Sequence, residues 1–210
     1  IKVKDATMAL IIKSANDVAT VVAEHISGSE KDFAKLMNKY AKQIGMNKTT
    51  FKNASGLPNR GQLTTVRDMA KLSHALIKNF PEKYKLFKSE KFVWKDKTYK
   101  THNKLMKKYD GADGIKTGYI SDAGFQLAFS AVKKDKRLIG IYFGGDSSKQ
   151  RNQTLKFLMD KEFTELGIIN NKKIEKKVTN NKKSVSKNYL IVVGTFKYKK
   201  NAEKHLNLIK

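Results

Sequence analysis

The tripeptide Lys116-Thr117-Gly118 occurs once in the chain, inside GIKTGYISDAG at residues 114–124. Lysine is so abundant that chance alone supplies about 0.15 such tripeptides, which makes one copy suggestive but weak by itself. The chemistry of the three residues is nevertheless coherent. Lys116 brings a positive field, Thr117 a hydroxyl that can donate to a carboxylate, and Gly118 a bare backbone along which an extended substrate can lie. Placed at the start of a strand after the Gly-rich YDGADG, they would offer a strand edge for main-chain hydrogen bonds to a peptide. A strand start carrying an ordinary solvated lysine explains the same letters.

Ser14-Ala15-Asn16 sets a hydroxyl and an amide two residues apart. About one such S-x-N is expected from composition, a second occurs at Ser186-Lys187-Asn188, and a helix N-cap accounts for the first equally well. His25, His74 and His205 show no metal-ligand spacing, and the chain has no cysteine, so disulfide scaffolding and zinc thiolate sites are excluded. No metal and no cofactor are expected.

The elements that must position these residues follow from periodicity. Residues 5–26 read as helix, break and helix, with the polar KSAND as the break and Asn16 or Asp17 as N-cap of the second helix. Ser29 and Asp32 precede an amphipathic helix whose apolar face is Phe33, Leu36, Met37, Tyr40 and Ile44, stopping at Gly45. KNASGLPNRGQ reads as a surface loop. The next helix starts at Thr64 or Thr65, with Asp68 completing a partial capping box, and ends before Pro81.

From Phe92 the period becomes two: Phe92 and Trp94 lie on one strand, KDK turns the chain, and Tyr99 lies on the return. FQLAFSAV and RLIGIYF form a hairpin joined by KKDK. A closing helix over about 147–166 offers Leu155, Leu158, Phe163 and Leu166 to a core. Helices come first, then antiparallel strands, then one more helix.

The 210 residues carry a net charge of +25, almost wholly from lysine, since Arg60, Arg67, Arg137 and Arg151 are the only arginines. Such a field favours nucleic acid, an anionic membrane surface or an acidic wall polymer, while a general taste for lysine explains it without any partner. No nucleic-acid reading motif accompanies the charge, and the aromatic residues fall at core periods, so nucleic acid is not expected as a partner. No apolar run is long enough to span a membrane, and no signal-peptide pattern is visible. The start at Ile1 suggests a fragment or a processed product. Beyond Gly167 the composition turns to Asn, Lys, Ser and Thr, a basic linker too polar to order itself.

Taken together, S-x-N between two helices and, about 100 residues later, KTG leading into a hairpin have the order used by penicillin-recognising serine enzymes, whose motif set is SxxK, S-D-N and KTG. The chain resembles the low-molecular-weight penicillin-binding proteins, the serine-type D-alanyl-D-alanine carboxypeptidases, over roughly residues 1–167. The resemblance is carried by IIKSANDVATVVAEHISGSEKDFAKLMNKYAKQIGMNKTTFKNASGLP, THNKLM and DGADGIKTGYISDAGFQLAFSAV, in that order.

The resemblance implies an α/β chain of the penicillin-binding protein/serine β-lactamase-like fold, an antiparallel sheet flanked by helices, with N-terminal elements missing. It implies that Ser14 relays protons toward the leaving amine, that Asn16 bonds the substrate backbone, and that Lys116 fixes Ser14 and supplies positive potential. Thr117 would hold the terminal carboxylate of D-alanine with Gly118 alongside. The backbone N–H of Tyr119 would form half of an oxyanion hole, a donor whose loss costs roughly 3 kcal/mol. Arg151 matches a carboxylate-binding arginine, and its planar fork suits that contact. His102 and Asn103 match an HN pair and read as structural.

The implied reaction is removal of terminal D-alanine from peptidoglycan pentapeptide stems through an acyl-enzyme, in the periplasm or cell envelope, with β-lactam antibiotics binding when the site is complete. The alternative is a catalytically inactive peptidoglycan-binding remnant. The family's nucleophile stands in an SxxK upstream of S-x-N, and only thirteen residues precede Ser14. Ser184-Val185-Ser186-Lys187 is read as a coincidence inside the linker, so the nucleophile is expected to be absent from this chain. Residues 1–167 are thus the C-terminal part of the carboxypeptidase domain and 168–187 the linker. Residues 188–210 (NYLIVVGTFKYKKNAEKHLNLIK) resemble the start of a SPOR domain, which would bind glycan strands.

Overall fold

The structure is a computed structural model that describes residues 1–170 and the backbone of residues 189–193. It divides into two compact units, 1–104 and 105–210.

The first unit begins with α1 (Val3–Met8), which widens into a π turn over Ala9–Lys13 and stops at Ser14. Helix α2 (Asn16–Ser27) follows, ending at Gly28 in the left-handed conformation that glycine adopts without penalty. The expected caps do not form. The N-cap position belongs to Ala15, and the Asp17 carboxylate accepts from the neighbouring Val18 N–H instead. Helix α3 (Glu30–Gln43) starts as expected, with Ser29 Oγ accepting from the Asp32 N–H at 3.0 Å. Its buried positions are Ala34 and Ala41, whereas Tyr40, assigned to the apolar face, is 59% exposed. The small side chains let the helix approach its neighbours closely, and the bulky ring is left on the rim.

The surface loop after α3 is held by side chains. Asn38 bonds both the N–H and the C=O of Phe51, and Gln62 Oε1 accepts from Lys52 N. Helix α4 (Val66–Asn79) is capped by Thr65, whose hydroxyl accepts from Asp68 N. The Asp68 carboxylate turns away to the loop, accepting from Lys48 N and Thr49 Oγ1 at 2.8 Å each. A short helix, α5 (Pro81–Tyr84), starts on the proline that ends its predecessor. Strands β1 (Lys91–Trp94) and β2 (Lys97–Lys100) form a two-stranded ribbon turned by Lys95 and Asp96, both at positive φ, as tight hairpins of right-handed twist require.

The second unit is a sheet with one helix on its face. Strands β3 (Ala112–Ile120), β4 (Gly124–Lys133) and β5 (Lys136–Gly145) form an antiparallel meander, and β6 (Tyr189–Val193) pairs with β5 in parallel, which departs from the all-antiparallel expectation. The order β3-β4-β5-β6 leaves β3 on an edge. Helix α6 (Ser148–Glu165) lies on β5 and β4, burying Leu155, Met159 and Phe163 against Leu127, Phe129 and Leu138. Met159 occupies the central place expected of Leu158 and Leu166, which pack only at the margin. Gly140 makes this seat possible: a Cβ there would lie 2.8 Å from Leu155 Cδ1. The chain is thus of α/β class, helices with an antiparallel meander, as the sequence implies.

Candidate active site

In the first unit Ser14 sits where two helices meet. The π turn adds a residue to the helical circuit, a feature often kept where function requires it. Ser14 then takes φ 57°, ψ 48°, left-handed values that cost a non-glycine residue roughly 1 kcal/mol or more. The consequence is an abrupt change of direction at Ser14, with Ala15 beginning α2. Asn16 is therefore the first residue inside the helix rather than its cap. Its side chain is exposed, and among the described residues no hydrogen bond engages its amide. Capping, which explained S-x-N equally well from the letters alone, is removed as an explanation.

In the second unit the KTG tripeptide lies on the edge strand β3, with one backbone edge paired to β4. The register sets Lys116 opposite Ala128, Thr117 opposite Leu127 and Gly118 opposite Gln126. Strand alternation puts Lys116 and Gly118 on one face, and Thr117 and Tyr119 on the face that carries α6. Lys116 is not the solvated lysine of the bland reading. Burial pushes its ammonium down from 10.5 to about 8, and Nζ donates to the Thr117 carbonyl at 2.9 Å. Gly118 has little room for a side chain, since a Cβ would stand 3.3 Å from Gln126 Oε1. The Tyr119 ring packs on Phe125 with centroids 4.4 Å apart.

Arg151 is in the first turn of α6 and only 2% exposed. Its Nη1 donates to the carbonyl of Gln126 at 3.1 Å, one strand in from Gly118. The other side of the guanidinium, Nε and Nη2, grips Asn152 Oδ1 at 3.1 and 2.9 Å. The fork is thus occupied by one neutral acceptor oxygen, where a carboxylate would present two. Gly145 permits the approach, because a Cβ there would be 3.0 Å from Arg151 Cβ.

The structure therefore gathers Lys116, Thr117, Gly118, Tyr119 and Arg151 in the second unit, and Ser14 and Asn16 in the first. Asn103 is 3% exposed, and its N–H donates to Thr101 Oγ1, consistent with a structural role. The chain carries a second SxxK, Ser130-Ala131-Val132-Lys133, that the search for a nucleophile overlooked. It lies within β4, where alternation sends Ser130 and Lys133 to opposite faces; Ser130 is fully buried and accepts from Arg137 Nη1. It cannot act as a serine-lysine dyad. Ser184 falls outside the described residues, as does most of the 188–210 segment.

Sequence reasoning missed one feature of the first unit. The ribbon β1–β2 contributes Phe92, Trp94 and Tyr99 to a cavity that Ser14 and Asn16 also line. The alternation of Phe92 and Trp94 was visible, but nothing in the letters said what that face would meet.

Comparison with known proteins gives these features a context. Residues 1–147 match the family described as D-alanyl-D-alanine carboxypeptidase. The chain is 35% identical over 173 residues to the D-alanyl-D-alanine carboxypeptidase DacD of Escherichia coli, covering 80% of this chain and 45% of that protein. Penicillin-binding protein 5 of Haemophilus influenzae superposes with a TM-score of 0.74 at 32% identity, covering 78% of this chain and 48% of that one. A penicillin-binding protein of Listeria monocytogenes, solved with ampicillin bound, superposes with a TM-score of 0.69 at 31% identity, covering 76% and 66%. The chain spans under half the length of the Escherichia coli relative.

Proposed function

The chain belongs to the D-alanyl-D-alanine carboxypeptidase family, and on that premise we propose that it builds the substrate-holding walls of a serine carboxypeptidase acting on peptidoglycan pentapeptide stems. The observation that carries this reading is the desolvated Lys116 on an edge strand whose next two residues are a hydroxyl and a bare glycine. An extended D-Ala-D-Ala terminus added along β3 takes main-chain hydrogen bonds from the strand, and its carboxylate meets Thr117 Oγ1 in the field of Lys116. Arg151, on the same face as Thr117, adds a forked cation once Asn152 gives way. Asn16 holds the backbone of the stem, and Ser14 passes a proton to the departing D-alanine amine. Tyr119 supplies its N–H to the developing oxyanion.

Attack on the penultimate carbonyl comes from a serine hydroxyl that loses its proton as the C–O bond forms. The C–N bond to the terminal D-alanine then breaks, and water hydrolyses the resulting ester. The acylated serine lies in an SxxK outside these 210 residues. The same residues would hold a β-lactam, whose carboxylate and strained amide imitate the peptide terminus. Residues 1–167 form the carboxypeptidase part, 168–187 a linker, and 188–210 a SPOR-like segment that touches glycan strands in the periplasm.

Fluorescent penicillin tests the proposal. The chain alone is expected to remain unlabelled, and labelling is expected once the SxxK-bearing segment is joined to it; covalent labelling of a residue in 1–210 overturns the assignment of the nucleophile. An inactive wall-binding remnant instead predicts that isolated sacculi retain the completed protein while it takes up no penicillin.

A further inference from the structure

Arg151 is a buried cation whose hydrogen-bond partners, among the described residues, are all neutral. The two sides of its guanidinium are held differently. Nη1 is anchored to the sheet: the pairing of β4 with β5 slips between Phe125 and Leu127, which leaves Gln126 without a partner on β5, and the Gln126 carbonyl accepts from Nη1 at 3.1 Å. Nε and Nη2 are held by a side chain instead, both donating to Asn152 Oδ1 at 3.1 and 2.9 Å. Asn152 is the next residue of α6, and asparagine is among the poorer residues for a helix interior. Its one oxygen satisfies two donors of a group too deep for water to reach, donors that would otherwise carry the cost of burial unpaired. A carboxylate that takes this edge of the guanidinium must first displace it.

We propose that Asn152 is a latch on this arginine: it closes the Nε and Nη2 edge of Arg151 until a D-alanine carboxylate displaces it, and so sets how tightly that carboxylate is held. The inference rests on the reading of Arg151 as a carboxylate contact, and Asn152 acts through Arg151 as a positioning residue. The energetics are an exchange of acceptors. Two N–H donors leave an amide oxygen for a carboxylate, and the half-buried Asn152 amide turns to solvent. The ligand therefore gains only the difference between a charged and a neutral acceptor. A neutral latch keeps the buried guanidinium satisfied between turnovers and still lets the released D-alanine leave.

The test uses the protein that joins this chain to its SxxK-bearing segment, as wild type, Asn152→Leu and Asn152→Asp. Each is assayed on a peptide ending in D-Ala-D-Ala with a free carboxylate and on the same peptide ending in the amide. Leucine keeps the bulk and deletes the acceptor; aspartate keeps an acceptor and adds the charge that competes with the ligand. For the acid, KM is expected to fall about fivefold in Asn152→Leu, the scale of one exchanged hydrogen bond, and to rise about tenfold or more in Asn152→Asp. In both variants kcat and the KM of the amide are expected to change little. The urea midpoint of Asn152→Leu should drop while its KM improves, a pairing that a merely structural residue does not produce. An acid KM that is unchanged or raised in Asn152→Leu overturns the latch and makes Asn152 a support for the guanidinium. Should Asn152→Leu fail to fold, Asn152→Asp decides alone, and an acid KM that is unchanged or lowered overturns the latch. A wild type that does not distinguish the acid from the amide removes the carboxylate reading of Arg151 and the latch with it, whereas a preference for the acid without the predicted order of variants removes the latch only.

Discussion

Lys116 gives the sharpest physical prediction. Burial lowers its ammonium from 10.5 to about 8. In the unfolded chain the group returns to its ordinary value, so between about pH 8 and 10.5 the unfolded state keeps a proton that the folded state has released. Stability must then rise with pH across that window. The penalty of a charged, buried lysine is present in full below about pH 8 and is relieved as the pH approaches 10.5. At about 1.4 kcal/mol per pH unit, the depression comes to roughly 3 kcal/mol. Urea unfolding of the chain and of Lys116→Met, measured side by side from pH 7 to 10.5, isolates this group because every other lysine and tyrosine titrates in both. The stability advantage of Lys116→Met is expected to shrink by about 3 kcal/mol over the window. A gap that stays constant with pH would show that Lys116 is solvated, and the field assigned to it would be lost with it.

Three further perturbations test the scaffold. Gly111→Ala is expected to destabilise the second unit by about 3 kcal/mol, because a Cβ there would stand only 2.0 Å from the Val132 carbonyl oxygen at a φ of +78°; the urea midpoint reads it. Asp68→Ala removes an acceptor that is 3% exposed and serves both Lys48 N and Thr49 Oγ1. It should cost about 2 kcal/mol or more and speed hydrogen exchange at the Lys48 amide. Ser14→Gly relieves the left-handed backbone and is expected to raise stability by up to about 1 kcal/mol relative to Ser14→Ala, as read by thermal melts of the two variants.

Much of the fold was legible because periodicity and punctuation agree in this sequence. Ser29 and Thr65 mark helix starts where the structure has them, the helix before Pro81 ends where expected, and the two hairpins turn at the polar residues expected of them. The failures have physical causes. Tyr40 fits a helical stripe by spacing, yet the helix packs through alanines, and a period cannot say which of its members will touch a neighbour. The cap at Asn16 was misplaced because a π turn shifts the helix start by one residue, and nothing local signals that extra residue. The parallel pairing of β6 with β5 joins residues about fifty apart, beyond any local pattern. Within the site, KTG was readable as chemistry only together with S-x-N. The desolvation of Lys116 and the gripping of Asn152 by Arg151 depend on tertiary neighbours that no spacing reveals.

The most direct test of the central claim is release of D-alanine from a pentapeptide stem by the protein that joins these residues to its SxxK-bearing segment. Wild type is predicted to release D-alanine, and Lys116→Ala to lose about a hundredfold or more of kcat/KM, the scale of removing one preorganised electrostatic contact in a catalytic site. Thr117→Val should chiefly raise KM. Undiminished D-alanine release by Lys116→Ala would contradict the account.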